Sequence, residues 1–274
     1  MKILNGRELA DYIKERQARD VRALRQAHDV FPKLAIVQVK DDPIINTYVR
    51  LKKNYGADIL IDVDIHRVEQ AAAPALIETL NQDSSVHGVI VQLPLTDKTQ
   101  TDEITNLVAP QKDVDALGVN ATFDPATPMA ILWLLAGYNI NLPGKNILLI
   151  GRGKLVGAPL ERIFNESGLD VTVASRSTKD LNAVTKEADL IITATGSPAI
   201  LYADMIKQGA VVVDAGVASE DGKTVGDVAP DVYERDDLTI TPTKGGVGPL
   251  TVCALFENVI RAARASISSG NSES

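Results

Sequence analysis

Tyr48 and Lys52 stand four residues apart in the segment Thr47-Tyr-Val-Arg-Leu-Lys-Lys-Asn54, so a helix there puts both side chains on one face. A tyrosine ring can stack on a flat substrate, and a lysine whose pKa is lowered can carry a proton near neutrality. Gln92 interrupts the apolar run Val89-Ile-Val-Gln-Leu-Pro94 at the carboxyl end of what reads as a strand, the place where α/β proteins form their sites. As structure alone it would be a strand-end amide bonding a loop. Asp113 and Asp115, in Pro110-Gln-Lys-Asp-Val-Asp115, either cap a helix or receive the donor groups of a bound heterocycle. Near the far end, Gly245-Gly246-Val247-Gly248-Pro249 is poor strand material and suggests a rigid loop against which a flat ligand can lie.

A second kind of chemistry is written at Gly151-Arg152-Gly153-Lys-Leu-Val156-Gly157-Ala-Pro159, which follows the apolar run Asn146–Ile150 and precedes a helical pattern. Glycines at a strand-to-helix turn let the backbone bend tightly and approach a pyrophosphate, whose charge is met by amides at the helix N-terminus. The next strand pattern ends in Ser175-Arg176-Ser177-Thr178, with no acid before Asp180. A site for NAD places Asp or Glu there to hold the ribose hydroxyls, whereas arginine meets the extra phosphate of NADP. Arg152, Arg176 and Ser177 together therefore point to NADP; read as structure alone, the two arginines are solvated surface side chains.

These residues need elements to hold them. Apolar spacing predicts an amphipathic helix from Gly6 to about His28, and β-rich runs follow at Leu34–Val39, Ile59–Ile65 and Gly88–Leu93 with helical stretches between. A second series alternates strands at 146–150, 171–174, 190–193 and 210–214 with helices at 156–167, 179–187 and 203–207. Strands separated by helices of this length pair in parallel, and the second series has the rhythm of a doubly wound nucleotide-binding sheet. The apolar stretch Pro128–Gly137 fits a buried linking helix, a last helix spans about Leu250–Ala265, and the Ser-rich end from Ser266 reads as a frayed tail. The expectation is two α/β domains, one of residues 1–118 with 255–274 and a Rossmann-like one of 119–254.

Composition narrows the function classes. With 36 acidic against 28 basic residues the formal charge is −8, which disfavours nucleic acid as a partner. The longest apolar run, Pro128–Gly137, is far short of the ~18 residues of a bilayer span, so no membrane partner is expected. A charged N-terminal segment and a single cysteine, Cys253, read as cytoplasmic, and three scattered histidines offer no metal site.

Taken in order, Tyr48-x-x-x-Lys52, Val91-Gln-Leu-Pro-Leu95, Lys112-Asp-Val-Asp115, Thr127-Pro128, Gly144-Lys145, Gly151-Arg152 with Val156-Gly-x-Pro159, Gly226-Asp-Val228 and Gly245-Gly-Val-Gly-Pro249 with Thr251 run along nearly the whole chain. The set resembles the bifunctional methylenetetrahydrofolate dehydrogenase/cyclohydrolase family of one-carbon metabolism. That resemblance implies two α/β domains flanking a cleft, oxidation of 5,10-methylenetetrahydrofolate with NADP, hydrolysis of the methenyl product to 10-formyltetrahydrofolate, and a homodimer formed through the nucleotide domain. It implies that Lys52 is catalytic, that Gln92 contacts it, that Tyr48 stacks on the folate, and that Asp115 binds the pterin. Gly246, Val247, Gly248 and Pro249 would line the substrate; Gly151, Arg152, Gly153, Val156, Gly157, Arg176 and Ser177 would bind the cofactor, Arg152 and Ser177 holding its phosphate. The chain departs from the family's usual residues at Ile45, Asn54, Ala116, Gly153, Ala218 and Lys244, while Lys52, Gln92 and Asp115 all remain. Other classes compatible with the residues are a dehydrogenase with weak or no cyclohydrolase activity, a dehydrogenase acting on an unrelated small acid, and a non-catalytic folate- and NADP-binding sensor.

Overall fold

The computed structural model describes residues 1–220 and 223–270. In chain order the elements are β1 (Lys2–Ile3), α1 (Gly6–His28), β2 (Lys33–Gln38), α2 (Pro43–Asp58), β3 (Asp62–Arg67), α3 (Ala73–Gln82), β4 (Gly88–Val91) and α4 (Thr101–Thr105). There follow α5 (Ala126–Gly137), β5 (Ile147–Ile150), α6 (Gly157–Glu166), β6 (Val171–Ala174), α7 (Leu181–Glu187) and β7 (Leu190–Thr193). The last are β8 (Val211–Asp214), β9 (Ala218–Glu220), β10 (Lys223–Val225), β11 (Thr239–Ile240) and α8 (Val247–Gly270). They form two compact units, one of Asp11–Ala126 with Val252–Ser274 and the other of Met1–Ala10 with Thr127–Thr251.

The unit of residues 11–126 and 252–274 is built on a parallel sheet ordered β3-β2-β4. Residues 34–37 of β2 and all of β4 are buried, as expected of a parallel strand covered on both faces. Ala35, Val37, Val89 and Val91 pack with Ala73, Ile77 and Leu80 of α3. Strand alternation then turns Ile36 and Ile90 to the opposite face, and the next positions along, Gln38 and Gln92, follow them. Helix α2 starts where local chemistry dictates: Asp42 accepts hydrogen bonds from the amides of Ile44 and Ile45, and Pro43 occupies the first turn, where its missing N–H costs nothing.

The expected strand over Ile59–Ile65 begins later, at Asp62. Ile59 closes α2 and the Ile61 amide returns to the Gly56 carbonyl at 2.8 Å, so these two buried isoleucines fill core beneath a turn and not along a strand. Apolar alternation signals burial, and here a turn supplies it.

The other unit carries a six-stranded parallel sheet ordered β1-β11-β8-β7-β5-β6, with β9 and β10 pairing apart from it as an antiparallel ribbon. The chain runs from β5 outward to β6 and then returns to β7 on the far side of β5, the kind of reversal beside which doubly wound sheets bind ligands at their strands' carboxyl ends. β1 explains why the first ten residues group here and not with the neighbouring 11–126 segment: the Lys2 amide bonds the Leu238 carbonyl at 2.8 Å and the Leu4 amide bonds that of Ile240 at 2.9 Å. A two-residue strand is too short to show periodicity. The helix expected at 203–207 is a single 3₁₀ turn, Ala203–Met205. Helix α8 starts at Val247 and continues to Gly270, so the Ser-rich segment is helical through that residue; the rest of the expected tail, 271–274, lies outside the described residues. Among the described residues no helix is long and apolar enough to cross a membrane.

Candidate active site

In the unit built on β2, β3 and β4, residues forty apart in sequence meet. Lys52 Nζ, on α2, donates to Gln92 Oε1 at 2.8 Å. The amide side chain is itself held, because Gln92 N donates to the Val37 carbonyl at 2.9 Å, extending the sheet ladder one residue past β4, and Nε2 donates to the Leu93 carbonyl at 3.0 Å. The Leu93–Pro94 peptide bond that follows is cis. At the end of the adjacent strand, buried Gln38 donates from Nε2 to Asn46 Oδ1 at 2.7 Å and to the Lys40 carbonyl at 2.9 Å. Two neighbouring strand ends thus each grip α2 through an amide, one at its first turn and one at Lys52.

Burial lowers the Lys52 pKa from its ordinary 10.5, and the nearby Asp115 carboxylate raises it by a smaller amount. Tyr48, one turn earlier on α2, is 42% exposed, leaving its ring face open. The two acids of the 113–115 loop differ in their surroundings, and neither caps a helix. Asp113 is buried and accepts from the amides of Gly118 at 2.7 Å and Leu117 at 3.3 Å; burial pushes its carboxyl up, and those amide bonds oppose the shift. It pins the loop. Asp115 is half-buried within the field of Lys52. From α8, buried Asn258 clamps the same loop by donating from Nδ2 to the carbonyls of Val114 at 3.0 Å and Asp124 at 2.9 Å. The arrangement holds an amine partly withdrawn from water, fixed by an amide, within the field of a carboxylate and one helical turn from an exposed aromatic ring, which suits proton carriage at a flat substrate.

In the other unit, Gly151 leaves β5 with φ of +105°, and its amide donates to the Ala174 carbonyl of the neighbouring strand β6 at 2.9 Å. A β-carbon on Gly157 would fall 2.1 Å from the Gly151 carbonyl oxygen, so the turn closes this tightly only with glycine there. Val156 precedes the first residue of α6, and Gly153 accepts from the Ala158 amide at 3.0 Å, setting the helix start. Because β5 and β6 are paired with Ile150 opposite Ala174, the turns beginning at Gly151 and Ser175 leave the sheet side by side. This puts Arg152 at the same sheet edge as Arg176 and Ser177. Ser177 Oγ lies 2.8 Å from Ser175 Oγ, Arg176 is exposed, and Arg152 makes a two-pronged ion pair with Glu161. Asp180 does not stand free as a ribose ligand: its Oδ1 accepts from the Ala183 amide at 2.9 Å and caps α7.

The Gly245 loop belongs to this unit as well. Gly245 has φ of +86° and accepts from the Arg7 amide at 3.1 Å, and Val247, Gly248 and Pro249 form the first turn of α8. Beyond the residues singled out from sequence, the structure brings in Gln38, Glu161 and Asn258. Asn258 had a signal, a polar residue on the apolar face of the last helix; Gln38 and Glu161 had none that distinguishes them from ordinary polar positions.

Two family models match the chain: residues 4–115 match the tetrahydrofolate dehydrogenase/cyclohydrolase catalytic domain, and residues 125–267 match the NAD(P)-binding domain of the same family. The bifunctional protein FolD of Lactobacillus helveticus is 38% identical over 276 residues, covering 96% of this chain and 98% of that protein. The crystal structure of the bifunctional enzyme FolD from Campylobacter jejuni superposes with a TM-score of 0.91 at 37% identity, covering 97% of this chain and 99% of that one. The Trypanosoma brucei methylenetetrahydrofolate dehydrogenase-cyclohydrolase, solved with NADP and an inhibitor, has a TM-score of 0.90 at 28% identity, covering 97% of this chain and 98% of that one.

Proposed function

The chain belongs to the tetrahydrofolate dehydrogenase/cyclohydrolase family, and on that premise we propose how its own residues divide the work. It is a bifunctional enzyme that oxidises 5,10-methylenetetrahydrofolate to 5,10-methenyltetrahydrofolate with NADP and hydrolyses the product to 10-formyltetrahydrofolate. The unit of residues 11–126 and 252–274 holds the folate, with Tyr48 stacking on it and Asp115 accepting from the pterin. Gly246, Val247, Gly248 and Pro249 line the substrate from a backbone that glycine keeps slim.

The residues of the other unit fit NADP. The Gly151 and Gly157 backbones meet where a β-carbon would collide, the start of α6 offers amides to a pyrophosphate, and the acid that follows the β6 turn, Asp180, is committed to capping α7. Gly151, Gly153, Val156 and Gly157 shape that cradle, while Arg152, Arg176 and Ser177 receive the extra phosphate. When bound, NADP supplies the hydride acceptor. The protein's part in that step is alignment, since the cation left on the folate is delocalised over two nitrogens and no general base is required.

Ring opening differs, because the attacking water must lose a proton and a ring nitrogen must gain one. Lys52 carries that proton. The observation behind this assignment is the Lys52–Gln92 hydrogen bond of 2.8 Å, which orients the amine, together with the burial that lowers its pKa toward the working range. The enzyme acts in the cytoplasm, a reading supported by a single cysteine in 274 residues, and as a homodimer joined through the nucleotide unit, whose sheet ends in the edge strand β6.

Lys52→Gln tests the division of labour. The amide keeps a polar end and cannot titrate, and loss of a general acid–base group typically costs about 10² to 10⁴ in rate. With NADPH and the methenyl compound followed at two wavelengths in one cuvette, NADPH should still form while methenyltetrahydrofolate accumulates. Hydrolysis at the unmodified rate would remove Lys52 from the proton path.

A further inference from the structure

The cofactor reading leaves one contact unexplained. Arg152 does not wait open for a phosphate: its Nε donates to Glu161 Oε2 at 2.7 Å and an Nη to Glu161 Oε1 at 3.1 Å. That is the side-on fork geometry by which a guanidinium would also grip a phosphate, so the two anions want the same donors. The partners are unequally placed. The Arg152 side chain is 65% exposed, whereas Glu161 is only 18% exposed on the second turn of α6. Glu161 is therefore the held member and Arg152 the one free to swing.

We infer that Glu161 sets NADP affinity by competing with the cofactor's 2′-phosphate for Arg152, acting as a specificity-determining residue that works through the arginine. The inference rests on the reading of Arg152 as a phosphate ligand. Phosphate binding must either displace the carboxylate or share the guanidinium with it, and in the second case a dianion and a carboxylate sit on one cation. NAD, lacking that phosphate, never meets the competition. Glu161 thereby lowers the NADP over NAD preference that the arginines alone would produce.

Glu161→Gln retains size and hydrogen-bonding ability but removes the charge. Measured by fluorescence titration and by KM, NADP binding should tighten about 3- to 10-fold relative to NAD, the size expected for releasing a surface ion pair and one like-charge repulsion. In an Arg152→Ala background the same change should shift the ratio by less than about 2-fold, since residues acting through each other are not additive. Weaker NADP binding in Glu161→Gln would show that the carboxylate orients the arginine and would overturn the inference, as would an undiminished gain without Arg152. If Arg152→Ala by itself leaves NADP binding unchanged, the assignment of Arg152 to the phosphate fails first. That outcome is separable from the failure of Glu161 alone.

Discussion

Replacing Gln92 by Leu removes the acceptor that Lys52 Nζ meets at 2.8 Å and leaves the amine in the same partly buried place. A hydrogen bond from an ammonium is worth about 1.5–3 kcal/mol and one from a neutral amine about 0.5–1.5, so the acceptor favours the protonated form by about 1–1.5 kcal/mol. At 1.36 kcal/mol per pH unit, its loss should lower the Lys52 pKa by about one unit. The sign follows from what already acts on this lysine. Burial holds it below 10.5 against the opposing Asp115 charge, and Gln92→Leu removes a further group that favours the cation while adding none. The limb of the pH–rate profile that reports the free amine in methenyltetrahydrofolate hydrolysis should therefore move about one unit toward acid. Its plateau should fall as well, because the amine is no longer oriented. The assay is hydrolysis of methenyltetrahydrofolate over a pH series, with hydride transfer over the same series as internal reference, since that step uses no proton carrier. A limb that stays in place or moves toward alkali would refute the argument that this amide stabilises the charged lysine.

Asn258→Ala leaves the carbonyls of Val114 and Asp124 without their buried donor, which should cost about 2–4 kcal/mol in chemical denaturation and raise the KM for folate as the loop carrying Asp115 loosens. Gly157→Ala pushes a β-carbon to 2.1 Å from the Gly151 carbonyl oxygen, and because both partners are backbone the turn must open. NADP titration should show binding weakened at least ~10-fold, with about 1–3 kcal/mol lost from stability.

Much of the fold was legible because its signals are local. The α2 cap is written in Asp42-Pro43, the α7 cap in Asp180, and the tight turn after β5 in Gly151 and Gly157; each works through neighbours within a few residues. Strands of four to six residues alternating with helices dictated parallel pairing for the same reason, since a short connection cannot return a parallel strand. Where apolar alternation misled, at Ile59 and Ile61, it had still marked burial; the backbone turned before it extended.

Pairings between distant segments lay beyond local chemistry. The family motifs named Lys52 and Gln92 as partners, but only the ladder from Val37 to Gln92 and the clip from Gln38 to Asn46 account for why they meet. Spacing alone left Asp113 and Asp115 equivalent. Tertiary structure separated them by presenting two amides to the first and leaving the second half-buried within the field of Lys52. The arginines after β5 and β6 pointed to an NADP phosphate from sequence, yet that Arg152 is already held by Glu161, nine residues on, depends on how α6 turns its face back toward the glycine turn. Residue types and spacing thus determined which chemistries the chain could carry, and long-range packing decided which side chain meets which, because burial and hydrogen-bond partners are set by the whole fold and not by the segment in which a residue lies.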